Sequence, residues 1–145
     1  MTDLNLPKKT NEMIDNSELT KNQKVVLSAL TNSEKPLSAY EILEFNHVRD
    51  KGIKAPLTVY RALEKLITFG LVHRIESLNA FIACDSAPHI EPAGFIICNN
   101  CKNTTELRIN DCEDHLTRGA REIDFHVEKV RVEVTGQCDS CRKSA

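Results

Sequence analysis

"APLTVYRALEKLITFGLVHRIESLNAFIAC", residues 55–84, changes its hydrophobic period half-way along. Val59, Ala62, Leu63, Leu66 and Ile67 recur at helical spacing, with Thr58 placed to cap the start and Gly70 to end the run. From Leu71 to Cys84 two short apolar segments flank a polar turn, which predicts a β-hairpin. With Leu78-Asn79 as a two-residue turn, His73 stands directly opposite Cys84; a three-residue loop sets it opposite Ala83 instead. In the first register Ile75, Ser77, Ala80 and Ile82 share the face of His73 and Cys84, while Val72, Arg74, Glu76, Phe81 and Ala83 take the other. Directly opposed residues have Cβ atoms about 5 Å apart, a separation that two ligands of one zinc ion span at about 2.0–2.3 Å each.

Two further helical stretches precede this one. Thr20 is positioned to cap a helix with Val25, Val26, Ala29 and Leu30 on one stripe, and Ser38 with Glu41 forms a capping box behind Pro36. Residues 1–17 are polar and aperiodic and read as a flexible arm or an irregular first helix. The order of three helices and a two-stranded wing predicts a winged helix-turn-helix over residues 1–84. The third helix buries its apolar stripe and exposes Tyr60, Arg61, Glu64 and Lys65. Its N-terminal turn, from Thr58, is where a recognition helix meets base edges in the major groove. Arg61 suits guanine or phosphate; the Tyr60 ring suits a thymine methyl, or else covers the edge of the core.

The charge pattern supports a local patch rather than a wholly basic protein. Net charge is −2, yet Arg49 to Arg74 contains six basic residues and two acidic ones. At 145 residues, 41% hydrophobic and 28% charged, the chain reads as globular, with room for one ordinary domain or two small ones. The N-terminus lacks an apolar core and no apolar run approaches the roughly 20 residues of a membrane span. The expected compartment is the cytosol, where thiols stay reduced and six cysteines point to metal binding or catalysis.

"DSAPHIEPAG", residues 85–94, contains two prolines and a glycine and reads as a hinge. Residues 95–145 then run strand, Cys-Asn-Asn-Cys knuckle, strand, helix from about Cys112 to Asp124, strand and Cys-Asp-Ser-Cys knuckle. A unit this small has little room for a hydrophobic core, and a structural metal is the usual remedy. Cys98 with Cys101 and Cys138 with Cys141 supply two thiolate pairs, enough for a closed tetrahedral zinc site without catalytic capacity. A second, mixed site is expected from His73 and Cys84 on the wing, His89 or Glu91 in the hinge, and Glu106 beyond it. A thiolate beside imidazole and carboxylate suits zinc better than harder ions. Cys112 and His115, three apart on a helix, and His126 are better explained as a buried thiol and surface histidines.

Together, "LSAYEIL", residues 55–84 and "FIICNNC…CDSC" resemble the ferric uptake regulator family of metal-responsive repressors; "HRIESLNAFIAC" is most similar to its zinc uptake regulator branch. The resemblance spans residues 18 to 142. It implies an α+β chain: a winged-helix DNA-binding domain, then a small dimerisation domain with a structural zinc on Cys98, Cys101, Cys138 and Cys141. It further implies a regulatory zinc on His73, Cys84 and Glu106 plus a fourth ligand, and DNA contacts from Tyr40, Tyr60 and Arg61. The chain departs from the branch by carrying Glu91 seven residues before Cys98, where a histidine is usual; His89 lies two residues earlier. The expected function is that of a dimeric, zinc-responsive repressor of zinc uptake genes, with operator DNA as partner and no membrane or small-molecule substrate.

Three other readings compete. Iron or manganese could be the sensed metal, although the histidine-rich segments of iron-type members are missing. A zinc-stapled interaction module without DNA binding fits the acidic C-terminal half. His89-x-Glu91 ahead of Cys98-x-x-Cys101 echoes the zinc deaminase signature, but Pro92 interrupts the segment and Cys138 and Cys141 would lack a role. No enzyme is expected.

Overall fold

The computed structural model describes residues 18–85, 88–89 and 93–144, so the arm expected over residues 1–17, and Glu91, lie outside the described residues. Helix α1 (Lys21–Thr31) starts where Thr20 Oγ1 accepts from the Gln23 N–H while the Gln23 side chain accepts from the Thr20 N–H. Helix α2 (Ala39–Glu44) repeats the device with Ser38 and Glu41. Each reciprocal cap satisfies backbone N–H groups that a helix start leaves orphaned.

Two corrections follow in the helical part. A fourth helix, α3 (Asn46–Asp50), stands between the expected second and third; it buries only Val48, too little to leave a periodic signal. The third expected helix becomes α4 (Pro56–Thr68), with Ala55 as its N-cap rather than Thr58. Pro56 can open the helix because its missing N–H would be unsatisfied there anyway. Thr58 therefore lies inside the first turn, its N–H bonded to the Ala55 carbonyl. The predicted stripe holds: Val59, Ala62, Leu63 and Leu66 are buried.

The wing is built from β1 (Val72–Ile75) and β2 (Ala80–Ala83), and its register differs from both expectations: His73 stands opposite Ile82, not Cys84 or Ala83. Residues Glu76–Leu78 form a 3-10 turn closed by Asn79 at φ 46, so the loop takes four residues. A slip of two preserves the period-2 alternation, so the predicted faces survive over Val72–Ile75 and Ala80–Ala83. Glu76 and Ser77, expected on opposite faces, instead lie in the turn and reach Arg131 and Glu133. Val72, Phe81 and Ala83 pack with the helices, whereas Ile75 and Ile82 join Ala93, Phe95 and Ile97 in a second cluster. Leu37 exchanges two backbone bonds of 2.9 and 2.8 Å with Phe81, covering the free edge of β2.

The C-terminal part comprises β3 (Ala93–Cys98), β4 (Thr104–Leu107), α5 (Asn110–Glu122), β5 (Arg131–Gly136) and α6 (Asp139–Lys143). The sheet order is β4-β3-β5, antiparallel on one side of β3 and parallel on the other, with α5 in the parallel crossover. No residue of α5 is buried. The wing is thus a wall shared by two cores, and polar contacts tie its tip to β5: Arg131 Nη1 lies 3.0 Å from Glu76 Oε1, and the Ser77 N–H reaches both Glu133 oxygens at 3.3 Å.

Candidate metal centres and nucleic-acid face

Cys98 ends β3, Cys101 follows in a tight turn closed by Lys102 at φ 64, and Cys138 and Cys141 occupy the N-cap and first turn of α6. Parallel pairing of β3 with β5, ending at Cys98 opposite Gly136, carries the second knuckle to the first. All four sulfurs lie within 4.8 Å of one another, and Cys101 and Cys138 are 3.9 Å apart. Tetrahedral ligands at the usual zinc–sulfur distance are about 3.8 Å apart. The Cys138 N–H donates to Cys98 Sγ and the Cys141 N–H to Cys138 Sγ, each at 3.4 Å. Backbone donors at Cys138 and then Cys101 pull the Cys98 thiol down to about 6. Cys141 moves the other way, up to about 12, chiefly because its thiol hydrogen-bonds Cys138. The chemistry is that of a closed four-thiolate cradle, able to hold zinc and staple the end of the chain to β3.

The second cluster lies at the seam between wing and sheet. His73 comes from β1, Cys84 from the residue after β2, His89 from the connecting segment and Glu106 from β4; their ligand atoms lie within 4.8 Å of one another. Pairing of Phe95 with Glu106 sets the carboxylate beside the strand whose Phe95 ring packs 5.7 Å from His73. His89 Nε2 bonds Glu106 Oε1, the Asp85 N–H donates to Glu106 Oε2 at 3.1 Å, and the two imidazoles are 4.6 Å apart. His73 Nε2 is buried without a hydrogen-bond partner among the described residues, 3.6 Å from Glu106 Oε1. Burial lowers the His73 imidazole to about 4, against the opposing pull of Glu106. A buried, neutral ring nitrogen left unpaired is costly and has the form a metal ligand requires. Two nitrogens, one sulfur and one carboxylate oxygen are a zinc-like donor set, so the residues present fit the ion.

The structure brings His73, Cys84, His89 and Glu106 together, although Cys84 is aligned with Leu71 rather than His73: its N–H donates to the Leu71 carbonyl at 2.9 Å. Cys112, His115 and His126 are all exposed, so the expectation of a buried Cys112 was wrong, and none of the three joins a ligand cluster among the described residues. Sequence reasoning missed Asp85, whose backbone holds Glu106, and the contact of Gly70 with His89; neither leaves a local signal.

On the opposite side, Tyr40 on α2 is 63% exposed, and Arg61 and Lys65 project from α4. Tyr60 is half-retracted, its ring edge-on to Phe81 at 6.5 Å. Thr58 lies in the same first turn of α4. Residues 15–135 match the family model of the ferric uptake regulator family.

The chain belongs to the ferric uptake regulator family. Within it, the chain is 30% identical over 129 residues to the zinc uptake regulation protein of Escherichia coli (strain K12), covering 87% of this chain and 74% of that one. The crystal structure of holo XcZur is 37% identical, with a TM-score of 0.75 and 86% of each chain covered. A zinc uptake regulator complexed with zinc and DNA is 28% identical, with a TM-score of 0.78, covering 86% of this chain and 83% of that one. As a family member the chain thus shares its fold with structures of zinc uptake regulators.

Proposed function

We propose that this chain is a zinc-responsive transcriptional repressor that binds operator DNA as a dimer and controls zinc uptake genes from the cytoplasm. The observation that carries the reading is the unpartnered, buried His73 Nε2 facing Cys84, His89 and Glu106 across the seam between wing and sheet. These four would hold the regulatory zinc, and Cys98, Cys101, Cys138 and Cys141 the structural one. Zinc, when bound, supplies a divalent charge that draws donors from wing, connecting segment and sheet to one point. The chain's own residues do the rest. Convergence of His73 and Cys84 with Glu106 fixes the wing against the sheet, and with it the orientation of α4. DNA affinity can then rise only by as much as the two arrangements differ in their affinity for the metal.

The similarity to a regulator complexed with zinc and DNA supports a DNA partner for Tyr40, Thr58, Tyr60, Arg61 and Lys65. A dimer is supported by apolar surface left open on the C-terminal part: Ile96 and Val134 are neighbours on adjacent strands, and Leu116 and Ile123 project from or cap α5. An uncovered apolar stripe on a helix marks a partner surface. Two recognition helices related by a two-fold axis read two half-sites, which one alone would bind too weakly. Lys and Arg contacts to phosphate make the affinity fall steeply with salt. No described helix is long and apolar enough to cross a membrane.

The test is selection of duplexes from a randomised pool, with protein stripped by a mild chelator and then reloaded with zinc. A pseudo-palindromic sequence retained only by the zinc-loaded protein is the expected result. Equal retention without zinc, or a response to iron or manganese and none to zinc, would overturn the reading.

A further inference from the structure

The α4 stripe directly opposite the buried Val59, Ala62, Leu63 and Leu66 is formed by Leu57, Arg61 and Glu64, at positions i, i+4 and i+7. Leu57 is 58% exposed and belongs to neither hydrophobic cluster. The Arg61 guanidinium one turn further on joins no ion pair among the described residues. Tyr60, the aromatic expected from sequence to meet a thymine methyl, sits to one side of this stripe and spends its ring edge on Phe81. The outermost apolar group of the helix is therefore Leu57.

We infer that Leu57 is a specificity-determining residue that packs on the C5-methyl group of a thymine in each half-site, beside a base or phosphate held by Arg61. The inference rests on the DNA-binding reading above and names what one position of that interface recognises. The major groove presents thymine with a methyl group that no other base carries, and apolar contact is the way proteins read it. Four helical residues rise about 6 Å, so Leu57 and Arg61 address positions roughly two base steps apart. Leu57 is more than half exposed and lies outside both hydrophobic clusters, so truncating it opens no cavity in the core of the described residues.

The test uses the duplex selected with zinc-loaded protein and replaces each half-site thymine in turn by deoxyuridine, which removes the methyl and nothing else. For the wild-type dimer, one thymine position should lose about fourfold in affinity, the effect of one methyl-sized group leaving an apolar contact. Leu57→Ala should bind the thymine duplex about that much more weakly and show no response to the same replacement. Tyr60→Leu should keep the response. Equal sensitivity in wild type and Leu57→Ala, or no methyl-sensitive position, would overturn the inference while leaving the repressor reading intact. Failure to select any zinc-dependent duplex would overturn the repressor reading and this inference with it.

Discussion

Gly70 and His89 touch backbone to backbone: the His89 N–H donates to the Gly70 carbonyl at 3.2 Å, and a methyl group on Gly70 would lie 2.6 Å from the His89 nitrogen. Gly70 also holds φ +73, a conformation glycine adopts without penalty. The residue that ends α4 thus seats the segment carrying a ligand of the seam cluster. Gly70→Ala should destabilise the protein by about 1–3 kcal/mol through backbone strain. It should also weaken the exchangeable zinc by at least about tenfold, the usual effect of disturbing a group that orients a ligand. Competition against a zinc chromophore measures the second effect; unaltered zinc affinity would show that His89 does not ligate.

The tip of the wing is held by charge as well as by packing. Glu76 and Arg131 are both partly exposed, so their 3.0 Å pair is screened by water and is worth about 0.2–1 kcal/mol. A double-mutant cycle with Glu76→Gln and Arg131→Gln, followed by denaturant unfolding, should give a coupling in that range at low salt and close to zero at 1 M salt. A coupling that ignores salt would mean the two side chains act through packing instead.

Cys98→Ser or Cys141→Ser should unfold the C-terminal part. With no residue of α5 buried, that helix adds nothing to the core, and the four-thiolate cradle is what ties the last knuckle to β3. Far-UV circular dichroism and zinc content report it together. A soluble variant with unchanged helicity and a full zinc complement would contradict the role given to the cradle.

Much of this was legible because it is local. The α4 stripe, the Thr20 cap, the Ser38–Glu41 capping box and the paired cysteines announce themselves within a few residues. The wing register was not legible: Glu76-Ser77-Leu78-Asn79 has no Asn-Gly signature, and only the left-handed Asn79 reveals the four-residue loop. Its two faces were nevertheless readable, because a slip of two leaves the alternation unchanged. Helix α3 escaped because five residues carry no period. The contacts of Gly70 with His89, Asp85 with Glu106 and Arg131 with Glu76 join residues whose partners are chosen by tertiary packing, about which neighbouring sequence says nothing.

The central claim is that the seam cluster holds an exchangeable zinc on which operator binding depends. Its most direct test is His73→Ala, followed through zinc stoichiometry and zinc-stimulated binding to the selected duplex in the same preparation. A folded protein with one zinc per chain in place of two, and no rise in DNA affinity on adding zinc, is the expected result. A variant that keeps two ions and the full zinc response would contradict it.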